Sequence, residues 1–406
     1  MTAPSSPGSP EEGPAHNGAA HDGGPAHDGG PTNDGLADED LAHGGTADGG
    51  LAHDGPAHDG AARGGPARDG PADEDPAHGG PAHEGPAHGG APWGQQAAYE
   101  DPTGPVPLRL LPESASVGDD GFLCIGGVST RALAEEYGTP LFAYDEAELR
   151  ARAREAYEVF GDGVAYAGKA FLCKAMARLV HEEGLQIDVA TGGELHVALA
   201  AGVPADRLVL HGNNKGLDEL ARAREVGVGR IVVDSLDELD RLEALHARDG
   251  RQPRVLLRAT PGVEAHTHEF VMTGQADSKF GFGVASGALE QAVDRCRRSD
   301  AVDLVGVHLH IGSQVFVADF FRQAVEVVAP WVRELKVDEV SIGGGLGVAY
   351  VSAEYAPTIT EWDRAVRAAY EDAGIEARIS AEPGRSIAAQ AAVTLYTVGT
   401  IKQVPG

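Results

Sequence analysis

A lysine, a histidine and an acid that could act together each stand at the end of a short apolar run. Lys169 follows Gly163–Gly168, His310 ends the alternating run His308-Leu-His, and Glu382 comes two residues after Ser380. A lysine at the end of a parallel strand, where partial desolvation favours the free amine, can form a Schiff base with a carbonyl group. A strand-end lysine that simply faces solvent would look the same when taken alone. The joint placement of the three side chains favours a chemical site.

A glycine cluster and an arginine near the same ends predict an anion site. The run Gly343-Gly-Gly-Leu-Gly347 lets backbone N–H groups approach a phosphate, although a plain tight turn would also account for it. Arg385 lies three residues after Glu382 and offers a charge-assisted partner for an anion. Phosphate site, lysine and acid together suggest pyridoxal 5′-phosphate, with Glu382 keeping its ring nitrogen protonated. His310 or His308 would then stack on the ring.

Eight short apolar runs, each followed by a helix-like stretch, must position these residues. Joined by helices, such strands are parallel and cross over in the right-handed sense. Eight of them favour an α/β fold of the (β/α)8 TIM-like barrel type, which carries its chemistry at the carboxyl ends of the strands. The predicted strands are Val164–Tyr166, Gln186–Val189, Arg207–Leu210, Arg230–Val233, Arg254–Arg258, Leu304–Leu309, Glu339–Ile342 and Ala377–Ser380.

The helical stretches between the runs are amphipathic, and several end at a glycine. A later apolar stretch, Thr394–Val398, is expected to be a strand that has no partner left to pair with. The predicted helices are Arg131–Tyr137, Glu146–Val159, Phe171–Glu183, Gly193–Ala201, Leu217–Val226, Leu236–Arg248, Ala288–Arg298, Asp319–Leu335 and Ile359–Ala373.

Composition divides the chain and restricts its partners. Residues 1–103 are a repetitive tail rich in Gly, Pro, Ala, Asp and His, which we expect to be disordered because it has too little apolar surface to bury. The net charge of −30 argues against nucleic acid, and no apolar run is long enough to span a membrane. Three scattered cysteines, Cys124, Cys173 and Cys296, favour a reducing compartment, so the cytoplasm is expected.

The motifs from about residue 106 onward resemble diaminopimelate decarboxylases, which are pyridoxal-phosphate enzymes with an alanine-racemase-like barrel. The lysine, histidine and Glu-Pro-Gly-Arg motifs are shared with ornithine and arginine decarboxylases, so they identify only the class. The stretches around His211, His266 and Ser278, with Gln314, are more typical of the diaminopimelate branch. The matching stretches are Gly138–Leu141, Tyr166–Phe171, Asp188–Leu195, His211–Lys215, His266–Glu269, Ser278–Gly281, His308–Gln314, Gly343–Gly347 and Glu382–Arg385.

The resemblance implies a role for each matching residue. Lys169 would hold the cofactor as a Schiff base, His310 would stack on its ring, and Glu382 would pair with its ring nitrogen. These three are the expected catalytic residues; Arg385 would also contact substrate, and no metal is expected. The implied cofactor-binding residues are Lys169, Asp188, His310, Ser313, Gly343, Gly344, Gly345, Glu382, Pro383, Gly384 and Arg385.

The implied activity is that of a carboxy-lyase that converts meso-2,6-diaminopimelate to L-lysine and CO2 in the last step of lysine biosynthesis. The resemblance also implies a homodimer and a C-terminal β domain, most of which is absent here, so we expect a fragment of impaired activity. The expected organisation is a tail (1–103), a segment that packs with the β domain (104–145), a cofactor-binding barrel (146–388) and the start of the β domain (389–406).

Three alternatives remain open at this point. One is decarboxylation of another basic amino acid, such as ornithine or arginine. Another is a non-catalytic barrel that only binds the cofactor, although such a protein need not retain Lys169, Glu382 and Arg385 together. Metal chemistry through His266-Thr-His268 is disfavoured, because this spacing occurs in many surface loops and no carboxylate cluster accompanies it.

Overall fold

The computed structural model describes residues 107–263 and 279–403. The predicted tail lies outside the described residues, and so do His266, His268 and Ser278. Strand and helix numbers below follow chain order within the described part. The strands are β1 (Ser116–Val117), β2 (Leu123–Ile125), β3 (Val128–Ser129), β4 (Leu141–Tyr144), β5 (Ala165–Ala167), β6 (Gln186–Val189), β7 (Leu208–Leu210), β8 (Arg230–Val233), β9 (Arg254–Thr260), β10 (Phe282–Gly283), β11 (Asp303–Leu309), β12 (Glu339–Ser341), β13 (Arg378–Ser380) and β14 (Ala392–Leu395).

Helices alternate with the strands from β4 onward. Four of them begin at a side-chain cap, in which Asp145, Thr191, Ser235 or Thr358 accepts a hydrogen bond from a backbone N–H of the first turn. The helices are α1 (Thr130–Tyr137), α2 (Glu146–Phe160), α3 (Lys174–Glu182), α4 (Gly192–Ala200), α5 (Leu217–Val226), α6 (Leu236–Asp249), α7 (Ala288–Arg298), α8 (Asp319–Leu335), α9 (Ile359–Ala373) and α10 (Arg385–Ala388).

Eight parallel strands form the predicted barrel. Their order is β5-β6-β7-β8-β9-β11-β12-β13, with β10 added beside β9. The two ends meet through a parallel bridge between Val164 and Ala381 and a hydrogen bond of 2.9 Å from the Ala165 N–H to the Ala381 carbonyl. The barrel therefore closes between β13 and β5, and the fold predicted from the sequence is confirmed.

The barrel interior is filled in layers, because side chains two residues apart on a strand share a face. A small apolar cluster of five strand residues fills the middle: Ala165, Val209, Val232, Leu256 and Val305. Two positions further along β7, β8 and β9 come His211, Asp234 and Arg258, all buried. The larger core lies outside the strands, where Tyr166, Ile187 and Leu210 pack under the helices. The layer above the apolar cluster is therefore polar and opens at the carboxyl ends.

Two predicted elements differ from the structure by three residues at one end, and the others by no more than two. Helix α3 begins at Lys174 rather than Phe171, because the Phe171 carbonyl accepts a hydrogen bond from Tyr166 Oη and its ring stacks on Tyr144 at 4.3 Å. The prediction of an unpaired strand at Thr394–Val398 was wrong. The strand is β14, which begins two residues earlier and ends three residues earlier than predicted, and it pairs antiparallel with β4.

Within the two described stretches, no helix is both long and apolar enough to cross a membrane. The three cysteines are all free, and Cys296 is buried, which raises the pKa of its thiol to about 12.

Candidate active site

Lys169 stands at the carboxyl end of β5, in a short turn formed by Gly168–Ala170. Gly168 lets the chain pass close to β6, since a Cβ there would lie 2.7 Å from the Asp188 carbonyl oxygen. The Lys169 side chain is 56% exposed, and its Nζ lies 3.6 Å from Asp188 Oδ2. Asp188 itself is buried at the end of β6. The described residues thus give the amine a carboxylate partner but not the desolvation that the sequence suggested.

Glu382 lies just after β13, the strand next to β5, and is buried. Its Oε2 is 3.0 Å from His308 Nε2, and its Oε1 accepts a hydrogen bond of 3.0 Å from Ser341 Oγ. His211 Nε2 lies 3.4 Å from the same Oε1 and 3.7 Å from Asp188 Oδ1. A continuous set of contacts therefore connects Lys169 to Glu382 through Asp188 and His211.

Electrostatics keep the Glu382 carboxylate ionised. Burial alone would raise its pKa, but the adjacent His211 and His308 imidazoles outweigh burial and hold the pKa well below 4.5. Burial lowers the pKa of His308 from 6.5 even though Glu382 opposes this. A neutral His308 with its proton on Nε2 is the form that donates to Glu382. The Glu382 carboxylate can therefore pair with a cationic group of a ligand.

His310 lies beside this network, one residue beyond the end of β11. Burial, together with the positive charge of Lys169, holds the pKa of His310 well below 6.5. Its Nδ1 accepts a hydrogen bond of 3.4 Å from the Gly344 N–H, which orients the ring against the glycine loop. His310 therefore presents an uncharged ring at the mouth.

The glycine loop Gly343–Gly345 follows β12 and meets the tips of its neighbours. A Cβ at Gly343 would lie 2.2 Å from the Leu309 carbonyl oxygen, and one at Gly344 would lie 2.2 Å from that of Glu382. At Gly345 the corresponding contact is 2.1 Å, to the Gly312 carbonyl oxygen. These glycines are required because three strand ends touch through their backbones.

Arg385 and Ser313 lie together on the same rim. Arg385 donates from Nη2 to Ser313 Oγ at 3.3 Å and from Nη1 to Tyr350 Oη at 2.8 Å. The preceding residues hold this tip against β5, where the Pro383 carbonyl accepts from Ala167 N–H and a Cβ on Gly384 would lie 2.9 Å from Ala167 Cβ. A cation, a hydroxyl and a glycine loop therefore lie on adjacent tips.

The structure adds four residues to the network at this rim: His211, Ser341 and Arg258, for which the sequence predicted no role, and His308, for which it predicted only ring stacking. Arg258 is buried with its Nη1 3.6 Å from Asp234 Oδ1, and burial lowers its pKa despite Asp234, Glu382 and Asp188. For His211 and Arg258, a signal was available in the sequence, because each lies two residues after an interior strand residue, Val209 or Leu256. The ligand atoms of His211, His308 and Glu382 also lie within 4.8 Å of one another, an arrangement open to a metal ion.

Comparison with known proteins identifies the class. Residues 146–389 match the family model described as pyridoxal-dependent decarboxylase, pyridoxal binding domain. The barrel and its rim are therefore those of a pyridoxal-phosphate-dependent decarboxylase, and the cofactor expected from the sequence is confirmed.

Individual relatives identify the family. Diaminopimelate decarboxylase from Mycobacterium tuberculosis (strain H37Rv) is 45% identical over 313 residues, which are 73% of this chain and 70% of that protein. The enzyme of the same name from Bacillus subtilis is 45% identical over 302 residues, which are 70% of this chain and 69% of the relative. The structure of diaminopimelate decarboxylase from M. jannaschii in complex with L-lysine has a TM-score of 0.67 at 32% identity, covering 72% of this chain and 71% of its own. This chain belongs to the diaminopimelate decarboxylase family.

Proposed function

We propose that this chain removes CO2 from meso-2,6-diaminopimelate and releases L-lysine, the last step of lysine biosynthesis. The observation that carries the proposal is the set of contacts from Lys169 through Asp188 and His211 to the ionised Glu382. This places an amine and an anion at one barrel mouth, on the ends of the adjacent strands β5 and β13. The relatives that carry the diaminopimelate decarboxylase name support the choice of substrate.

The rim residues fit the cofactor. Several buried polar atoms have no hydrogen-bond partner among the described residues, and those at this rim include Asp188 Oδ2, His211 Nε2 and Arg385 Nε. Buried polar groups are nearly always paired, so these atoms suit a polar ligand that carries both donor and acceptor groups. Such a ligand would meet the Lys169 amine on one side and the Glu382 carboxylate on the other.

Each rim residue then has a defined task. When bound, the cofactor supplies an electron sink for the electron pair that the departing carboxylate leaves behind. Lys169 would hold the cofactor through its amine, beside the Asp188 carboxylate. Glu382 would keep a proton on the ring nitrogen, and the uncharged His310 ring would add no competing positive charge. The phosphate would be held by a cation, a hydroxyl and the glycine loop, namely Arg385, Ser313 and Gly343–Gly345.

A lysine substitution tests the proposal. In wild-type protein loaded with pyridoxal 5′-phosphate, we expect a visible absorbance band, and we expect Lys169→Ala to abolish it. The matched control is Lys174→Ala, an exposed lysine at the start of α3, which should keep the band. If the band survives in Lys169→Ala, another group holds the cofactor and the assignment is wrong.

Product analysis separates the substrates. Diaminopimelate, ornithine and arginine are each supplied to the loaded protein, and CO2 and the amine product are measured. We expect lysine from diaminopimelate and at most trace product from the other two. Preferential turnover of ornithine or arginine would refute the substrate assignment but leave the cofactor assignment intact.

We further infer the organisation and setting of the chain. Residues 104–145 and 389–406 belong together, because β4 pairs with β14 and Gln390 Nε2 donates to the carbonyls of Arg109 and Leu111. Exposed aromatic residues around this sheet, including Tyr137, Phe142 and Tyr396, support a homodimer in the complete enzyme. The three free cysteines support the cytoplasm. Sedimentation of the loaded protein would test the dimer.

A further inference from the structure

His211 occupies an unusual position between two buried carboxylates. It follows β7 directly, on the interior face shared with Val209, and only 7% of its surface is exposed. Its Nε2 lies between Asp188 Oδ1 and Glu382 Oε1, at 3.7 and 3.4 Å. The same atom has no hydrogen-bond partner among the described residues. A buried ring nitrogen is thus aimed at the two acids that flank the mouth.

The loop after His211 is built to hold the ring there. Lys215 Nζ donates to the carbonyls of Gly212 and Val232, at 2.7 and 2.6 Å, and to Glu238 Oε2 at 2.9 Å. The His211 ring also packs edge-on against His308, with centroids 5.0 Å apart and planes at 68°. Neither contact uses Nε2, so both leave it available to the carboxylates.

We propose that His211 is a positioning residue, whose Nε2–H bridges Asp188 and Glu382 and aims Glu382 at the cofactor's ring nitrogen. A carboxylate offers about four acceptor positions. Ser341 and His308 use two of those of Glu382, the proposed His211 bridge at 3.4 Å would use a third, and the fourth is left for the ring nitrogen. The bridge also separates two anions that would otherwise repel each other in a poorly solvated site. This inference rests on the proposed function, because it concerns the same cofactor.

The charged and titratable groups that face His211 and Glu382 come from several strands and tips. Two are a lysine and an arginine, two are carboxylic acids, and two are further histidines with lowered pKa values. They are Lys169, Arg258, Asp188, Asp234, His308 and His310. All of them remain when only His211 is changed.

The test compares His211→Phe with His211→Gln. Phenylalanine keeps a ring against His308 but has no donor, whereas the amide of glutamine can place an N–H near the position of Nε2. Cofactor affinity is measured by spectral titration with pyridoxal 5′-phosphate. We expect His211→Phe to bind about 10- to 100-fold more weakly, as loss of one charge-assisted hydrogen bond predicts, and His211→Gln to recover most of this. His196→Phe, an exposed histidine on α4, is the control and should bind like wild type.

A second readout follows the pH dependence of bound cofactor. Removing His211 takes away a group that lowers the pKa of Glu382, so the acid becomes protonated at a higher pH. The acid-side midpoint for loss of the visible band should move up by about one pH unit in His211→Phe. Circular dichroism checks that the variant folds. If it does not, His211→Asn replaces it, because the shorter amide ends before the carboxylates.

The outcomes are distinct. If His211→Phe bound the cofactor with wild-type affinity and a wild-type pH profile, the proposal would be wrong. It would also be wrong if His211→Gln lost as much cofactor affinity as His211→Phe, because the role would then belong to the ring and not to its N–H. Both results leave the proposed function in place. Absence of any visible band in the wild-type protein would overturn the proposed function and this inference together.

Discussion

Ser341 joins the acid of the rim to the glycine loop. Its hydroxyl donates to Glu382 Oε1 at 3.0 Å and accepts from the Gly343 N–H at 3.1 Å, and the residue is buried. Replacement by alanine leaves the buried Gly343 N–H without its acceptor and removes one of the donors to Glu382, and a buried polar group left without a partner costs about 1–3 kcal/mol. We therefore expect Ser341→Ala to lower the free energy of unfolding by about 1–3 kcal/mol, measured by urea denaturation of the cofactor-free protein.

The matched control is Ser352→Ala in the loop after β12, where the serine is exposed. An exposed serine without a special contact should change the free energy of unfolding by less than about 0.5 kcal/mol. Equal stability of Ser341→Ala and the control would mean that the two hydrogen bonds of Ser341 contribute nothing net.

The sequence alone was enough to place some of these residues at the rim but not others. Lys169, Glu382 and Arg385 could be predicted, because the carboxyl ends of parallel strands meet at one rim whatever the packing. The role of His211 depends on a contact across the barrel with Glu382, which strand order alone does not fix. Counting two residues from the interior Val209 would have shown only that His211 points inward.

At the scale of elements, the loop Gly343–Gly345 sets the spacing of three strand ends. Gly344 is the sharpest case, because its backbone needs no left-handed conformation but a Cβ would lie 2.2 Å from the Glu382 carbonyl oxygen. We expect Gly344→Ala to push the Glu382 tip away from the loop. Cofactor affinity, measured by spectral titration, should then fall at least about tenfold, since small misplacements at a site are costly.

Gly193→Ala provides the comparison for this loop substitution. Gly193 lies on another tip of the same rim, after β6, where a Cβ would come no closer than 3.7 Å to the Thr191 side chain. Alanine also suits the first turn of α4. We expect Gly193→Ala to bind the cofactor with unchanged affinity. If Gly344→Ala bound it equally well, the site would tolerate displacement of the Glu382 tip by the glycine loop.

Element boundaries show where local patterns suffice. The ranges of α5, α7, α8 and α9 agree with the predicted ones, because the amphipathic periodicity that predicts a helix lies within each segment. The strand at Ala392–Leu395 was misplaced because its partner, Leu141–Tyr144, lies about 250 positions earlier in the chain. Pairing between such distant segments leaves no local signature.

At the scale of the whole molecule, a polar network closes the other end of the barrel. Glu339, Arg230, Gln186 and Arg378 lie at the first positions of β12, β8, β6 and β13. Arg230 Nη1 lies 2.8 Å from Glu339 Oε1, and it also hydrogen bonds Gln186, while Arg378 pairs with the same Glu339 carboxylate. Four strands from different sides of the barrel are thus joined through one buried acid.

Removing the charge of that acid should destabilise the barrel in a pH-dependent way. Burial alone would raise the pKa of Glu339, but Arg230 and Arg378 outweigh it and hold the pKa below 4.5. A carboxyl group whose pKa is lowered on folding stabilises the protein at pH values above its pKa in the unfolded chain. This contribution is lost as the pH falls through its pKa in the folded protein.

We expect Glu339→Gln to lower the free energy of unfolding by about 3–5 kcal/mol at pH 7, because Arg230 is left buried without its partner. The difference from wild type should narrow as the pH falls below 4.5, measured by urea denaturation from pH 7 to pH 3. Glu225→Gln, which breaks an exposed pair with Arg222, should cost less than about 1 kcal/mol at every pH. A constant gap for Glu339→Gln across this range would show that the carboxylate charge is not what joins the strands.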